Sequence, residues 1–263
     1  MSHVELSGLD LAQAALLLVI DAALSMAFRL NLERRLLIAA IRMVVQLLLV
    51  GLVLKALFAM TSPALTAAVV LVMIGFAGYE VTARLSRRLR GPWSYGIGAG
   101  SMLFAGVSVT VLALMTQLRP DPWYDPRYVI PLLGMILGNT MNGVSIALDR
   151  LLAGAVRERV AIEARLSLGQ GFEQAMQGIV RDAVRAGLIP TINAMSAAGL
   201  VFLPGMMTGQ ILAGIPPIEA VKYQILILFL IAGATGLGVF AGIAAASRRL
   251  TDSRQRLRLD RVS

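Results

Sequence analysis

Leu36-Leu-Ile-Ala-Ala-Ile-Arg-Met-Val-Val-Gln-Leu-Leu-Leu-Val-Gly-Leu-Val-Leu-Lys-Ala-Leu-Phe-Ala-Met60 decides the class of fold. Apart from Arg42, Gln46 and Lys55 its side chains are apolar or glycine, and they run without the apolar/polar alternation of a barrel strand. A hydrocarbon core about 30 Å thick takes about 20 helical residues to cross. Backbone amides find no partner in lipid, so only a helix or a closed barrel can cross it. This stretch is therefore read as a membrane-spanning helix.

The same reading extends to Leu9–Phe28, Leu65–Leu85, Tyr95–Thr116, Val129–Leu148, Leu188–Met207 and Ala220–Ala246. The sequence thus predicts an all-α, polytopic transmembrane bundle of about seven spans. Composition agrees. Of 263 residues 57% are hydrophobic and 15% charged, with a mean hydropathy of +0.77. A soluble domain has about 25% charged residues. No basic leader with a small-residue cleavage site opens the chain, so the first span is expected to be retained. Cysteine is absent and His3 is the one histidine, which removes disulfides, thiolate metal sites and most hydrolytic constellations.

A net charge of +9 would suggest a nucleic-acid partner in a soluble protein. Here the arginines sit between spans. They fall at Arg29, Arg34 and Arg35; at Arg84, Arg87, Arg88 and Arg90; along Asp149–Gly187; and in the basic tail, 247–263. With seven spans all four groups share one side, and cytoplasmic retention of basic loops makes that side the inner one. The predicted orientation is N-terminus out and C-terminus in, in a bacterial inner membrane, with no nucleic-acid partner. On the opposite face Trp123 and Tyr124 suit the interfacial belt.

Ionisable groups inside spans are costly and mark function or a paired bridge. Asp21 and Arg42 are expected at nearly equal depth in adjacent antiparallel spans. They form either a structural ion pair or part of a transport path, and Gln46, one turn deeper, fits both readings. Gly134, Gly138 and Asn142 share a helical stripe continued by Asp149, either a close-packing face or a polar cavity wall; Asn139 is on a neighbouring face. Glu80 and Lys55, near span ends, are read as snorkelling, and Met206 and Met207 as apolar filler.

The only large segment outside the spans, 149–187, contains Glu163-Ala-Arg-Leu-Ser-Leu-Gly169. It resembles the "EAA…G" loop of ABC transporter permeases, a short helix that docks on a separate ATPase. Arg165 stands where a second alanine is usual. The resemblance implies coupling roles for Glu163, Ala164, Leu168 and Gly169. The chain's two lysines, Lys55 and Lys222, lie outside any Gly-x-x-x-x-Gly-Lys-Ser/Thr loop, so ATP-driven work needs a second polypeptide. No catalytic residue and no cofactor is assigned.

Ile41-Arg-Met-Val-Val-Gln-Leu47, Leu137-Gly-Asn-Thr-Met-Asn-Gly143, Leu166-Ser-Leu-Gly169, Ile189-Pro-Thr-Ile-Asn-Ala-Met195, Leu203-Pro-Gly-Met-Met-Thr-Gly-Gln210 and Lys222-Tyr-Gln224 resemble segments of the FetB-type permease family. Its bacterial members are described as iron-export permeases and its plant relatives are linked to aluminium tolerance. A departure is Leu168-Gly-Gln-Gly-Phe172, where the family has Leu-Gly-Ala. The resemblance implies a single permease domain over 1–263 that partners a cytoplasmic ATP-binding subunit and forms a homodimer. It would export iron or a small solute, with Gln210 joining Asp21, Arg42, Gln46, Asn139 and Asn142 as polar candidates for the path. A secondary transporter or channel needing no ATPase is the main alternative, and a non-transporting membrane anchor a third.

Overall fold

A computed structural model describes residues 7–59 and 62–263, in which every extended element is helical. His3 and Met60 lie outside the described residues. The chain divides into two compact units, Met1–Met60 and Thr61–Ser263.

The first unit is a helical hairpin of α1 (Gly8–Ala27) and α2 (Glu33–Ala59). Ser7 opens α1 with a reciprocal capping box: its hydroxyl accepts from the Asp10 amide at 3.3 Å, and its own amide donates to the Asp10 carboxylate at 2.7 Å. The turn uses left-handed backbone at Arg29 and Asn31. Ser25 staples it, accepting from Leu32 N at 3.0 Å and donating to Glu33 Oε2 at 2.8 Å. The most apolar window of α2 has a mean hydropathy of 2.5 and no buried residue. Such a surface is stable only against lipid or another polypeptide.

The second unit comprises α3 (Pro63–Ala83), α4 (Trp93–Leu118), α5 (Pro126–Arg157), α6 (Arg159–Ser167), α7 (Phe172–Ala197), α8 (Gly205–Leu212) and α9 (Pro217–Arg249). Proline at the first turn of α3, α5 and α9 starts each helix where a missing amide costs nothing. Two stretches of α4, Leu103–Val107 and Leu114–Leu118, are wound as π-helix.

Among the described residues six helices are long and apolar enough to cross a membrane: α1, α2, α3, α4, α5 and α9. The protein is an all-α polytopic helical membrane protein. The expected span Leu188–Met207 is not one helix. Its first part is the end of α7, whose earlier turns carry Arg181, Asp182 and Arg185. Helix ends at Ala197, Gly199 turns with φ +83°, and the short α8 follows. Local charge in α7 and the glycine turn break the apolar run that hydropathy alone joined together.

Helix α5 is the axis of this unit, and glycines set its neighbours' register. A Cβ on Gly143 would lie 2.8 Å from the carbonyl oxygen of Gly187, and one on Gly187 would lie 2.7 Å from that of Gly143. Gly154 faces Ile179, so α7 runs antiparallel to α5. Gly238 packs on Thr140 and Val144, and Gly242 on Val144 and Leu148, so α9 runs parallel to it. The chain therefore returns along α7 before descending again in α9, which gives this unit the alternation that a sixth span had been expected to supply.

One end of this unit collects the turn after α3, the end of α5, the start of α7 and the residues after α9. Their arginines gather there: Arg84, Arg87, Arg88 and Arg90 from the first and Arg150 and Arg157 from the second, joined by Arg248 and Arg249 from the last turn of α9. The segment after α9 is an ordered strap. Arg90 N donates to Arg261 O at 2.8 Å, and Arg88 and Ser263 exchange backbone bonds of 3.0 and 2.7 Å. Gln255 Oε1 accepts from Phe172 N at 2.8 Å and so caps α7, while Arg261 Nη1 donates to Arg249 O at 2.9 Å at the end of α9. Asp252 accepts from the amides of Arg254 and Arg256, and Asp260 from the Arg258 guanidinium. The Arg256 amide and side chain bring the Asp252 carboxyl down to about 2. The hydrogen bond from Arg258 does the same for Asp260.

Candidate functional site

A cleft of about 730 Å³ opens between the C-terminal end of α3, the middle of α5 and the middle of α7. Helical periodicity builds two of its walls. Asn142, Ser145 and Asp149 lie on one face of α5, and Asp182, Arg185 and Ile189 on one face of α7. Arg84, just past α3, and Arg150 complete its charged rim, and Pro190 lies at the apolar side. From Asn142 to Asp149 the polar wall runs about 10 Å along α5.

The charges are unevenly engaged. Arg84 Nη1 donates a short hydrogen bond to Asn142 Oδ1, with Glu80 3.9 Å from its Nε. Asp149 Oδ1 accepts from both the amide and the hydroxyl of Ser86, at 2.7 and 2.6 Å, tying the post-α3 turn to α5. The side chains of Arg150, Asp182 and Arg185 line the cleft and make no hydrogen bond or ion pair among the described residues. Three guanidiniums thus line the cleft with two carboxylates, a surplus of one positive charge among the lining groups, and Glu80 sits beside Arg84. The open guanidiniums of Arg150 and Arg185 are the groups that can take a negatively charged ligand.

The sequence candidates scatter over the molecule. Asp21 on α1 and Arg42 and Gln46 on α2 are exposed within the first unit. Because α2 begins at Glu33 rather than Leu36, Asp21 lies about 9 Å and Arg42 about 14 Å along their helices from the turn, a difference of nearly one turn. Asn142 is in the cleft. Asn139 is not: its Nδ2 donates to Met135 O of its own helix at 2.8 Å. Gly138 is exposed with nothing near its missing Cβ, whereas Gly134 lies beside Met73. Gln210, on α8, has a buried Oε1 without a protein partner.

Glu163 and Ala164 are on α6, Leu168 is the residue that caps its C-terminal end, and Gly169 turns the chain away at φ +88°. Among the described residues, no group of three or more His, Asp or Glu is placed to hold a metal ion. Sequence reasoning used Arg84 and Arg185 only as topology markers and gave Ser86 and Asp182 no role. The signal that could have found Asp182 and Arg185 is their helical spacing with Ile189, hidden because the sequence reading divides this one helix at Gly187, between the segment outside the spans and a span from Leu188.

The uncharacterised protein family UPF0014 matches residues 8–251. A UPF0014 membrane protein of Synechocystis is 37% identical over 262 residues, covering 98% of this chain and 99% of that protein. The probable iron export permease protein FetB of Escherichia coli K12 is 34% identical over 257 residues, 98% of this chain and 97% of the relative. Protein ALUMINUM SENSITIVE 3 of Arabidopsis thaliana is 32% identical over 230 residues, 87% of this chain and 82% of that protein. No solved structure matches the chain.

Proposed function

The chain belongs to the UPF0014 family, and on that premise we propose that it is the permease subunit of an ABC transporter. It exports iron or a small solute while a separate cytoplasmic subunit hydrolyses ATP. The full chain acts as one permease domain in a bacterial inner membrane, with the arginine-rich end inside, and pairs with a second copy so that two ATP sites drive two membrane halves. The name of the Escherichia coli relative supports a non-enzymatic transport role and iron as cargo.

The observation that carries the coupling role is the two-faced geometry of α6. Ile162 is fully buried and Arg165 Nη1 holds the Ala175 carbonyl of α7 at 2.9 Å, so one face is fixed to the bundle. The other face presents Val160 and Leu168, 80% and 84% exposed, with Ala164 exposed between them. Such a short, anchored helix with an apolar outer face suits a groove on a partner, and a push on it would reach the cleft through α7. Glu163 pairs with Arg159 Nε at 2.8 Å across one turn, a surface pair contributing at most about 1 kcal/mol, so its acid group can be released to a partner.

The test is co-expression with a candidate ATP-binding subunit. The reading expects that subunit to co-purify and its ATP turnover to change on assembly. Leu168→Asp should abolish both while leaving membrane insertion intact. Transport driven by an ion gradient alone, with no ATPase retained, would sink this reading and favour a secondary transporter.

A further inference from the structure

We infer that the cleft between α3, α5 and α7 binds a multiply charged oxyanion, so that any metal carried by this site travels as an anionic chelate and not as a bare cation. The inference rests on the transport reading above and names the chemistry of its cargo.

A bare divalent cation takes about six oxygen ligands and favours a site whose carboxylates outweigh nearby positive charge. The cleft offers two carboxylates. Asp149 Oδ1 is taken by the Ser86 amide and hydroxyl, and Asn142 Oδ1 by Arg84. Asp149 Oδ2 and the Asp182 carboxylate are left, in a cleft lined also by three guanidiniums that repel a cation. For an oxyanion the same groups are favourable. Arg150 and Arg185 have unengaged planar forks, which match carboxylate and phosphate oxygens in pairs. The Ser145 hydroxyl donates to the Asn142 carbonyl at 3.0 Å and keeps lone pairs for a hydroxyl on the ligand. Ile189 and Pro190 line the apolar side. The volume, about 730 Å³, falls within the usual range for small-molecule sites, about 300–1,000 Å³. The fitting class is a small polycarboxylate, a phosphate ester, or a polycarboxylate chelate of a metal. An anionic lipid headgroup shares this chemistry, and the experiment separates the two sources.

Binding of citrate, of the ferric citrate complex and of ferrous ion alone is measured by calorimetry on the full chain in phosphatidylcholine nanodiscs. Native mass spectrometry of the detergent-purified chain scores retained phosphatidylglycerol. No ATPase is needed, so failure of the coupling role leaves this result readable, and the converse holds.

Arg150→Gln and Arg185→Gln should each weaken citrate binding by about tenfold, the loss of one charge-assisted hydrogen-bond pair. Asp182→Asn should tighten it, a gain that misfolding cannot produce. Arg87→Gln, outside the cleft, should change nothing. If phosphatidylglycerol instead is retained by the wild type and lost in both arginine variants, the anion site stands with a lipid as its source. Ferrous ion binding that survives or strengthens when the arginines are removed would overturn the inference. So would the absence of both citrate binding and lipid retention.

Discussion

Gly143 and Gly187 meet across α5 and α7 with backbone carbonyls occupying the space a side chain would need. Small residues at such crossings let helices in lipid approach closely enough for van der Waals attraction to hold them. Valine at either position has no flexible neighbour to displace. Gly187→Val should destabilise the bundle by about 1–3 kcal/mol, read as a lowered Tm in detergent, whereas Gly138→Ala, with open space at its Cβ, should leave Tm unchanged. The sequence drew attention to Gly134 and Gly138 because their spacing was visible within one helix. The glycines that pack, Gly143, Gly187 and Gly238, are partners across three helices, and no local pattern links them. Asp149 shows the same limit. Its position on the Asn142 stripe was legible, but its bonds to Ser86 join residues 63 apart in sequence.

At the scale of elements, α6 and the strap behave as attachments to the helix ends. The Glu163-to-Gly169 spacing announced a short helix closed by a glycine, and the structure ends α6 at Ser167 with Gly169 left-handed. What the spacing could not reveal is which face α6 buries, since that is set by how α6 packs on α5 and α7, where Ile162 joins the core. The strap was read only as a basic tail, because arginine-rich composition hides the apolar Leu257, Leu259 and Val262, which pack against the core. Its acid sensitivity follows from Asp252 and Asp260. Both carboxyls titrate near 2 when folded, below the ordinary value of 3.8. Their contribution is complete above about pH 4 and is lost as pH falls toward 2. Hydrogen exchange at the Arg88 and Arg90 amides should therefore be slow and flat above pH 4, after correction for intrinsic rates, and accelerate below it. Asp252→Asn should remove its own share of that acid dependence and leave the share due to Asp260.

For the whole molecule, hydropathy sufficed to identify a helical membrane protein. The count of spans was harder to read because α7 mixes charge with apolar residues and its partners, not its own composition, hold it in the bundle. The arrangement of arginines at one end of the second unit makes the orientation testable. The chain has no cysteine, so single cysteines can be introduced without background. With the arginine-rich end inside, Trp123→Cys should react with an impermeant thiol reagent on intact cells, and Ser253→Cys only after permeabilisation. The reverse pattern would invert the proposed direction of transport along with the protein.

The strap also sets a schedule for biogenesis. The Ser263 hydroxyl bonds to the carbonyl of Arg88 across 175 residues of chain. At translation rates of about 5–20 residues per second, the turn after α3 leaves the ribosome roughly 10–35 s before its partner exists. During that interval the N-terminal end of α7 also lacks the Gln255 cap. The arginine-rich end of a half-made molecule is thus open to chaperones and proteases until residues 255–263 have been made.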